Sequence, residues 1–483
     1  MGKSAIGFTI ARYINELPQE ESVDSGAYFL TTQKVLQQQY MTDFQKYGMR
    51  SLKSSSNYMC TAQRGTSCAQ GQRALLSPKS EAFSQNCKWR CVYKTAKREF
   101  LDTDISVTNF PYFLAETNYS GQLKPRGLLV IDECHNTESQ LSSFIEVSIS
   151  ERFAKSVLKL EMPEIKTMKQ GIKWIREVYK PKFLSHYKHV KKMLEKYSDL
   201  KTKLKEFHTV MKQYEILDKH ECKLLRFLDV YSEENWVMNL VTSEKQGSRK
   251  MEFKPIDVSP WSEGFLFRGG ERVLLMSATV LNQEAFCESL GIPKADCEFI
   301  SIDSPFPDKN KPIIFAPIGS MAQKQIDHSL PKLKEAVKAI MKNHKKEKGI
   351  IHCHTYKIAH YLKRNIRSKR ILIHNAENRD KILWTHINSK EPTVLLSPSM
   401  SEGVDLKDDT GRFQIICKIP YPYLGDKLVR KRMHKWKWWY PLQTAKTIVQ
   451  SVGRSVRNPD DFAVTYILDA GWNYFYMKNQ YSS

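Results

Sequence analysis

Eight consecutive residues constrain this chain more than any others: the apolar run Leu128-Leu129-Val130-Ile131 and, directly after it, Asp132-Glu133-Cys134-His135. A short β-prone apolar run without alternation reads as a strand covered on both faces, the signature of a parallel sheet flanked by helices. Its neighbours agree, with an amphipathic helical run at Ser4–Glu16, a β-like run at Ala27–Thr31 and a polar helical run at Lys34–Phe44. The reading is α/β. Two adjacent carboxylates are then delivered to the carboxyl end of a buried strand, where open α/β sheets bind their ligands. One carboxylate there can hold Mg²⁺ while the next polarises an attacking water. A solvated strand-end turn is the bland alternative, and it is weakened by Ser277-Ala278-Thr279, which follows the strand-like run Val273–Met276 in the same way.

At the start of the chain Gly2-Lys3-Ser4 opens a helix, as does the tail of a phosphate loop G-x-x-x-x-G-K-[ST]. In such a loop the backbone N–H groups cradle phosphates, the Lys reaches the β/γ-phosphates and the hydroxyl ligates Mg²⁺. Three residues alone are cheap to match by chance. A second α/β unit follows the Pro-rich bend Ser304-Pro305-Phe306-Pro307, with strand candidates at Gly349–Cys353, Arg370–Ile373, Thr393–Leu396, Phe413–Ile419 and Ala463–Leu468. It carries Ser401-Glu402-Gly403-Val404-Asp405 after one strand and Gln450-Ser451-Val452-Gly453-Arg454-Ser455-Val456-Arg457 in a helical region. Continuous helix would place Gln450, Gly453, Arg454 and Arg457 on one face, two planar guanidiniums suited to a polyphosphate. A merely decorative helix would not keep a Gly that costs it about 0.8–1 kcal/mol.

The 483 residues imply three to four folding units. Lys and Arg number 75 against 52 Asp and Glu, a balance of +23 that attracts polyanions over long range. No run approaches the ~18 apolar residues of a membrane span, and no signal-peptide core is present, so the expectation is a soluble intracellular protein with no membrane partner. Ten cysteines are too dilute for a secreted disulfide scaffold. Four of them, Cys60, Cys68, Cys87 and Cys91, sit in a Ser-, Gln- and Gly-rich stretch with few large aliphatic residues, which points to metal as its organiser. From Glu151 to Val230 the chain holds 20 Lys or Arg, 11 Asp or Glu, one Gly and two Pro, a basic helical insertion. In the run Lys427 to Tyr440, basic residues stand beside Trp436, Trp438 and Trp439; these either stack bases along a phosphate-tracking helix or pack in a core, with equal weight. His135, His352 and His354 read as strand-end residues rather than metal ligands.

These motifs, in this order and spacing, resemble superfamily 2 helicases, and within them the iron–sulfur DNA helicases related to the xeroderma pigmentosum group D (XPD) helicase and the DinG type. The resemblance is carried by Gly2-Lys3-Ser4 (motif I), Leu30-Thr31-Thr32-Gln33 with Leu36-Gln37 (motif Ia), the four cysteines, Thr108-Asn109-Phe110-Pro111-Tyr112, Asp132–His135 (motif II), Ser277–Thr279 (motif III), Ser401–Asp405 (motif V) and Gln450–Arg457 (motif VI), with Pro255-Ile256-Asp257 and Ile419-Pro420-Tyr421-Pro422 beside them. It implies two RecA-like parallel-sheet motor domains, the first discontinuous over 1–150 and 251–304, the second over 305–483. Insertions into the first follow: an iron–sulfur segment at 50–100 and a helical arch at 151–250. The implied activity is an ATP-dependent helicase on single-stranded or forked DNA, its 5′→3′ polarity implied by the family alone.

The resemblance further implies ATP and Mg²⁺ held by Gly2, Lys3, Ser4 and Asp132, with Glu133 orienting water. Gln450, Gly453, Arg454 and Arg457 serve the transferring phosphate, and Gly403 and Asp405 couple nucleotide to DNA. Cys60, Cys68, Cys87 and Cys91 look like the ligands of a [4Fe–4S] cluster; zinc competes, although of the spacings C-x7-C, x18 and C-x3-C only the last suits a zinc pair. The chain begins inside motif I, so the 483-residue form is expected to bind ATP poorly and to be a fragment or the product of a misassigned start. Where the family has Asp-x-Arg after motif VI, this chain has Asp469-Ala470-Gly471. Two rivals stand: a DEAH-type RNA helicase, which lacks the four cysteines, and a catalytically silent nucleic-acid-binding protein.

Overall fold

The structure, a computed structural model, describes residues 2–18, 23–61, 65–75, 87, 90–120, 123–198, 204–242, 247–304, 306–375, 377–398, 406, 408–456, 458 and 460–478. The chain divides into two compact units. One comprises Gly2–Cys297 together with Gly425–Arg432, the other Glu298–Leu424 together with Met433–Ser483.

The first unit holds strands β1 (Asp24–Thr31), β2 (Arg50–Ser51), β3 (Ile105–Asn109), β4 (Arg126–Asp132), β5 (Val147–Ser150), β6 (Trp236–Thr242), β7 (Arg249–Pro255) and β8 (Gly270–Met276). Five of them form a parallel sheet in the order β2-β3-β1-β4-β8. All seven residues of β4 are buried, as a strand between two neighbours and two helical layers requires. Register aligns Leu30 with Ile131, Thr31 with Asn109 and Asp132 with Met276, so the carboxyl ends of β1, β3, β4 and β8 lie level. The helix Lys3–Asn15 buries Gly7, Phe8 and Ala11 beneath this sheet. A Cβ at Gly7 would sit 2.9 Å from Met276 Cε, so only glycine lets the helix approach so closely. At the foot of β4 the buried Arg126 guanidinium lies 4.4 Å from the Tyr28 ring centre and donates to Ser106 Oγ (3.0 Å) and Leu101 O (2.8 Å).

The basic stretch is helical, with helices Lys180–Ser198 and Leu204–Val230 packed on each other through Phe183, Tyr187 and Tyr214; the Tyr187 and Tyr214 rings stack at 5.6 Å. Its flanks add a feature that periodicity did not announce: β5, β7 and β6 form an antiparallel sheet in that order.

The second unit is a six-stranded parallel sheet built from β9 (Ile313–Gly319), β10 (Gly349–His352), β11 (Ile371–Ile373), β12 (Val394–Ser397), β13 (Phe413–Ile416) and β14 (Val464–Asp469), ordered β11-β12-β10-β13-β14-β9. The five expected strands are present, and β9 adds an edge strand with Ile313 and Ile314 exposed. The Arg370 guanidinium gathers four carbonyls, those of Met341, His344, Glu347 and Pro392, at 2.6–2.8 Å, closing the end of helix Ile326–Asn343. Trp436 and Trp439 are each 6% exposed, so these two rings are core and offer no face to bases.

Candidate functional site

At the carboxyl edge of the five-stranded sheet, three stretches far apart in sequence meet. Gly2 caps the helix Lys3–Asn15, its carbonyl accepting from Ile6 N–H at 2.8 Å, so Lys3 and Ser4 lie in the first turn, where unpaired N–H groups and the helix dipole favour an anion. The Lys3 ammonium stands 2.8 Å from Glu133 Oε1 and 3.8 Å from Asp132 Oδ1. Asp132 ends β4 almost fully buried; its Oδ1 accepts from Glu133 N–H (2.9 Å) and its Oδ2 from the Tyr40 hydroxyl (3.1 Å). Burial raises the Asp132 pKa above the ordinary carboxylate value, and the Lys3 charge opposes that rise. Tyr40 is buried too, its phenol pushed up first by burial and then by Asp132, while a hydrogen bond with Ser4 pulls the other way.

Glu133 adopts a left-handed backbone, φ 52°, a conformation costing a non-glycine residue ~1 kcal/mol or more. The chain thereby turns sharply out of β4 and into the helix Thr137–Ile145. Its Oε2 lies 3.3 Å from His135 Nδ1, which in turn is 2.8 Å from Ser277 Oγ; Ser277 Oγ also accepts from Thr279 N–H at 3.0 Å. Motifs I, II and III are thus joined in one network: an ammonium, two carboxylates, an imidazole and a hydroxyl on level strand ends. Such a set can hold a polyphosphate and its cation and direct a water.

The second unit places its candidates differently from the sequence reading. Gln450 lies on the helix Trp439–Val452, but that helix stops before the rest of motif VI. The Val452 carbonyl accepts from the Gln414 side chain at 2.9 Å, Gly453 forms the cap, and Arg454 follows in a turn, 6% exposed. The single helical face through Gln450, Gly453, Arg454 and Arg457 is therefore corrected: a side chain from β13 takes the carbonyl that a further turn would need. Arg457, and the motif V residues Gly403 and Asp405, lie outside the described residues. Near Arg454, burial drives the His352 imidazole down to about 3 and His354 to about 4, so both rings are neutral. His352 Nε2 meets Gln414 Oε1 at 3.2 Å.

The four cysteines converge. Cys60 N–H donates to Thr66 O and Cys68 N–H to Tyr58 O in a tight turn, Cys68 begins the helix Cys68–Leu75, and Cys91 caps the helix Val92–Asp102. Cys68 Sγ and Cys91 Sγ are 3.5 Å apart, and Cys87 and Cys60 are close enough for their charges to be felt by this pair. Gly71 leaves room for the Cys60 sulfur, which a Cβ at that position would strike. Burial pushes the Cys68 thiol up to about 12, and the neighbouring Cys91 adds to the rise. Among the described residues no three His, Cys, Asp or Glu side chains are arranged around a single ion. Nor is any helix among them long and apolar enough to cross a membrane.

Tyr40 was not singled out by sequence; the available signal was its place one turn after the buried Gln37, whose amide donates to Ser51 Oγ and Leu52 O. Glu138, treated below, was also missed, and Arg432 was read only as one of the basic residues of the run Lys427 to Tyr440.

Residues 337–480 match the family model of the helicase C-terminal domain. Over 251 residues, 47% of this chain, the sequence is 26% identical to the ATP-dependent DNA helicase DinG of Photobacterium profundum, covering 35% of that protein. The chain is thus similar to helicases of the XPD/DinG-like group of superfamily 2. A further 97-residue match is 30% identical to a regulator of telomere elongation helicase 1 homolog of Aedes aegypti, covering 17% of the chain and 10% of that protein. The chain spans about a third or less of the length of these relatives. Two solved XPD helicase structures share its fold, both at TM-score 0.60: one at 16% identity over 94% of this chain and 89% of that one, the other, an apo form, at 15% over 99% and 92%.

Proposed function

We propose that this chain is the motor of an ATP-dependent DNA helicase that moves 5′→3′ along single-stranded DNA and opens forks, with motor domains at 1–150 plus 251–304 and at 305–483. The observation that carries the reading is the contact of Lys3 with Glu133 and Asp132, tied through His135 to Ser277. In the resting site Lys3 neutralises Glu133. On binding ATP, Lys3 exchanges Glu133 for the β/γ-phosphate oxygens, and the released carboxylate, held by His135, orients the attacking water. Ser4 and Asp132 would hold Mg²⁺, which supplies charge neutralisation on the phosphates. By the family resemblance, Arg454 and Arg457 with Gln450 and Gly453 would serve the transferring phosphate, and Gly403 with Asp405 would couple nucleotide to strand.

Cys60, Cys68, Cys87 and Cys91 would hold a [4Fe–4S] cluster, whose thiolate bonds brace a segment poor in core residues. The relatives bearing the name DNA helicase favour DNA over RNA. The test is ATP hydrolysis with and without oligo-dT: stimulation in the wild type and loss by orders of magnitude in Glu133→Gln support the reading. Equal rates in both would refute it.

A further inference from the structure

The segment Gly425–Arg432 lies in sequence among second-unit residues yet packs within the first unit. It begins the helix Lys427–Lys435, whose remaining residues, from Met433, belong to the second unit. Five of its basic side chains, Lys427, Arg430, Lys431, His434 and Lys435, are exposed or half-buried, whereas Arg432 is buried. The Arg432 guanidinium donates through Nε to Ile256 O (2.8 Å) and through Nη2 to Pro255 O (3.4 Å), and its Nη1 lies 2.7 Å from Glu138 Oε1. Both partners of that ion pair are nearly closed to solvent, with side chains 8% and 13% exposed. Lys427 Nζ reaches Met238 O at 3.2 Å and Asn239 Nδ2 reaches Asp426 Oδ1 at 3.4 Å, holding the other end of the segment on β6.

Glu138 is the second residue of the helix Thr137–Ile145, which leaves the Asp132-Glu133 turn after Cys134–Asn136. Leu141 and Ile145 bury the helix's inner face, so its outer start is fixed by Arg432. We infer that Arg432 is a positioning residue for the nucleotide carboxylates: gripping Glu138, it ties the helix after Asp132-Glu133 to the basic helix Lys427–Lys435, so that single-stranded nucleic acid on that helix alters the hold on nucleotide. A phosphate backbone drawn to Lys427, Arg430 and Lys431 shifts a rigid helix, and Arg432 is its side chain anchored to both a carboxylate and two carbonyls. Because the guanidinium spreads its donors over three nitrogens in one plane, it reaches all three partners from Nε, Nη1 and Nη2, whereas an ammonium donates from a single nitrogen.

This rests on the proposed function. The experiment titrates the full chain with a fluorescent Mg·ADP analogue, with and without oligo-dT, and takes the ratio of the two affinities as the coupling. The wild type is expected to show a ratio of about fivefold or more. Arg432→Gln, and independently Glu138→Gln, should bring the ratio to near one while leaving affinity without DNA within about twofold; Glu138→Gln keeps the carbonyl contacts and serves should Arg432→Gln not fold. Amide exchange over Thr137–Ile145 should rise in both variants and β4 should stay protected. A wild-type ratio retained in both variants overturns the inference alone, as does an equal loss of affinity with and without DNA, which marks a role in folding only. A wild type that binds nucleotide or DNA without coupling, or binds neither, sinks the proposed function and this inference with it.

Discussion

Asp469, the last residue of β14, is 4% exposed, and its carboxylate accepts three backbone N–H groups: Met321 (3.1 Å) and Gly471 (2.9 Å) on Oδ1 and Ile419 (2.9 Å) on Oδ2. Met321 follows β9 and Ile419 follows β13, the two strands that flank β14, so one side chain ties the exits of three adjacent strands. Asp469→Asn keeps the shape and one acceptor. With its oxygen on Met321 and Gly471, its amide faces Ile419 N–H, donor against donor. One charge-assisted bond worth ~1.5–3 kcal/mol is lost and a buried donor is left unmet at ~1–3 kcal/mol, partly offset because no charge is now buried. The expected loss is about 3 kcal/mol, a hundredfold or more in local opening. Urea unfolding followed by tryptophan fluorescence reads the stability, and amide exchange at Met321 and Ile419 reads the local effect. Asp303→Asn, an exposed control, should stay within ~0.5 kcal/mol. A loss below ~1 kcal/mol with unchanged exchange at those amides would show that the strand exits are not held by this carboxylate.

Protein prepared without oxygen should be brown with about four iron atoms per chain, and Cys87→Ser should bleach it; stoichiometric zinc without iron refutes the cluster. Affinity for single strands should fall with salt at a slope near −0.7 per phosphate neutralised; a flat dependence would mean that the +23 charge does not engage the backbone. Trp436→Ala should lower stability by ~3–5 kcal/mol and leave strand affinity unchanged, and the reverse pattern would restore the stacking role. His352, His354 and His386 have folded values of about 3, about 4 and about 4, below the unfolded 6.5. Their contribution is present above pH 6.5 and lost as pH falls towards 4, about 2 kcal/mol per ring at pH 5, so an acid melt with no loss between pH 6.5 and 5 would contradict their burial as neutral rings.

The parallel strands were legible because both faces of such strands are covered: Leu128–Ile131 and Thr393–Leu396 are runs without the alternation that a half-exposed strand would carry. The antiparallel sheet was passed over although β7 alternates Lys250, Glu252 and Lys254 with buried Met251 and Phe253 as a half-exposed strand does, because it flanks a basic stretch read as helical and β6 is exposed over its last three residues. β9 escaped notice because its short apolar run is bracketed by Pro312 and Pro317, which read as breaks and are tolerated at a sheet edge. The motif residues of the first unit were legible individually, and sheet register explains why they meet. Their partners were not: Tyr40 reaches Asp132 across 92 positions, and Arg432 reaches Ile256 across 176, pairings that leave no local signature. The end of the motif VI helix was misread because its sequence permits another turn, whereas the helix stops at Val452, whose carbonyl meets the Gln414 amide. A tryptophan-rich basic run looks alike whether its rings face bases or a core, and burial alone separates the two.

The resting charges of the first unit narrow what can occupy it. Both Asp132 oxygens are engaged, Oδ1 by the Glu133 N–H and Oδ2 by Tyr40, while Lys3 spends its charge on Glu133. A free cation arriving at the carboxylates would meet the Lys3 ammonium, and a free anion arriving at the helix start would draw Lys3 away and leave two adjacent carboxylates uncompensated, one of them already raised by burial. A ligand that brings negative charge to Lys3 and positive charge to Asp132 in the same step meets neither cost. A magnesium-bound polyphosphate is such a ligand, and in the function proposed above the Lys3–Glu133 contact is the interaction it would replace.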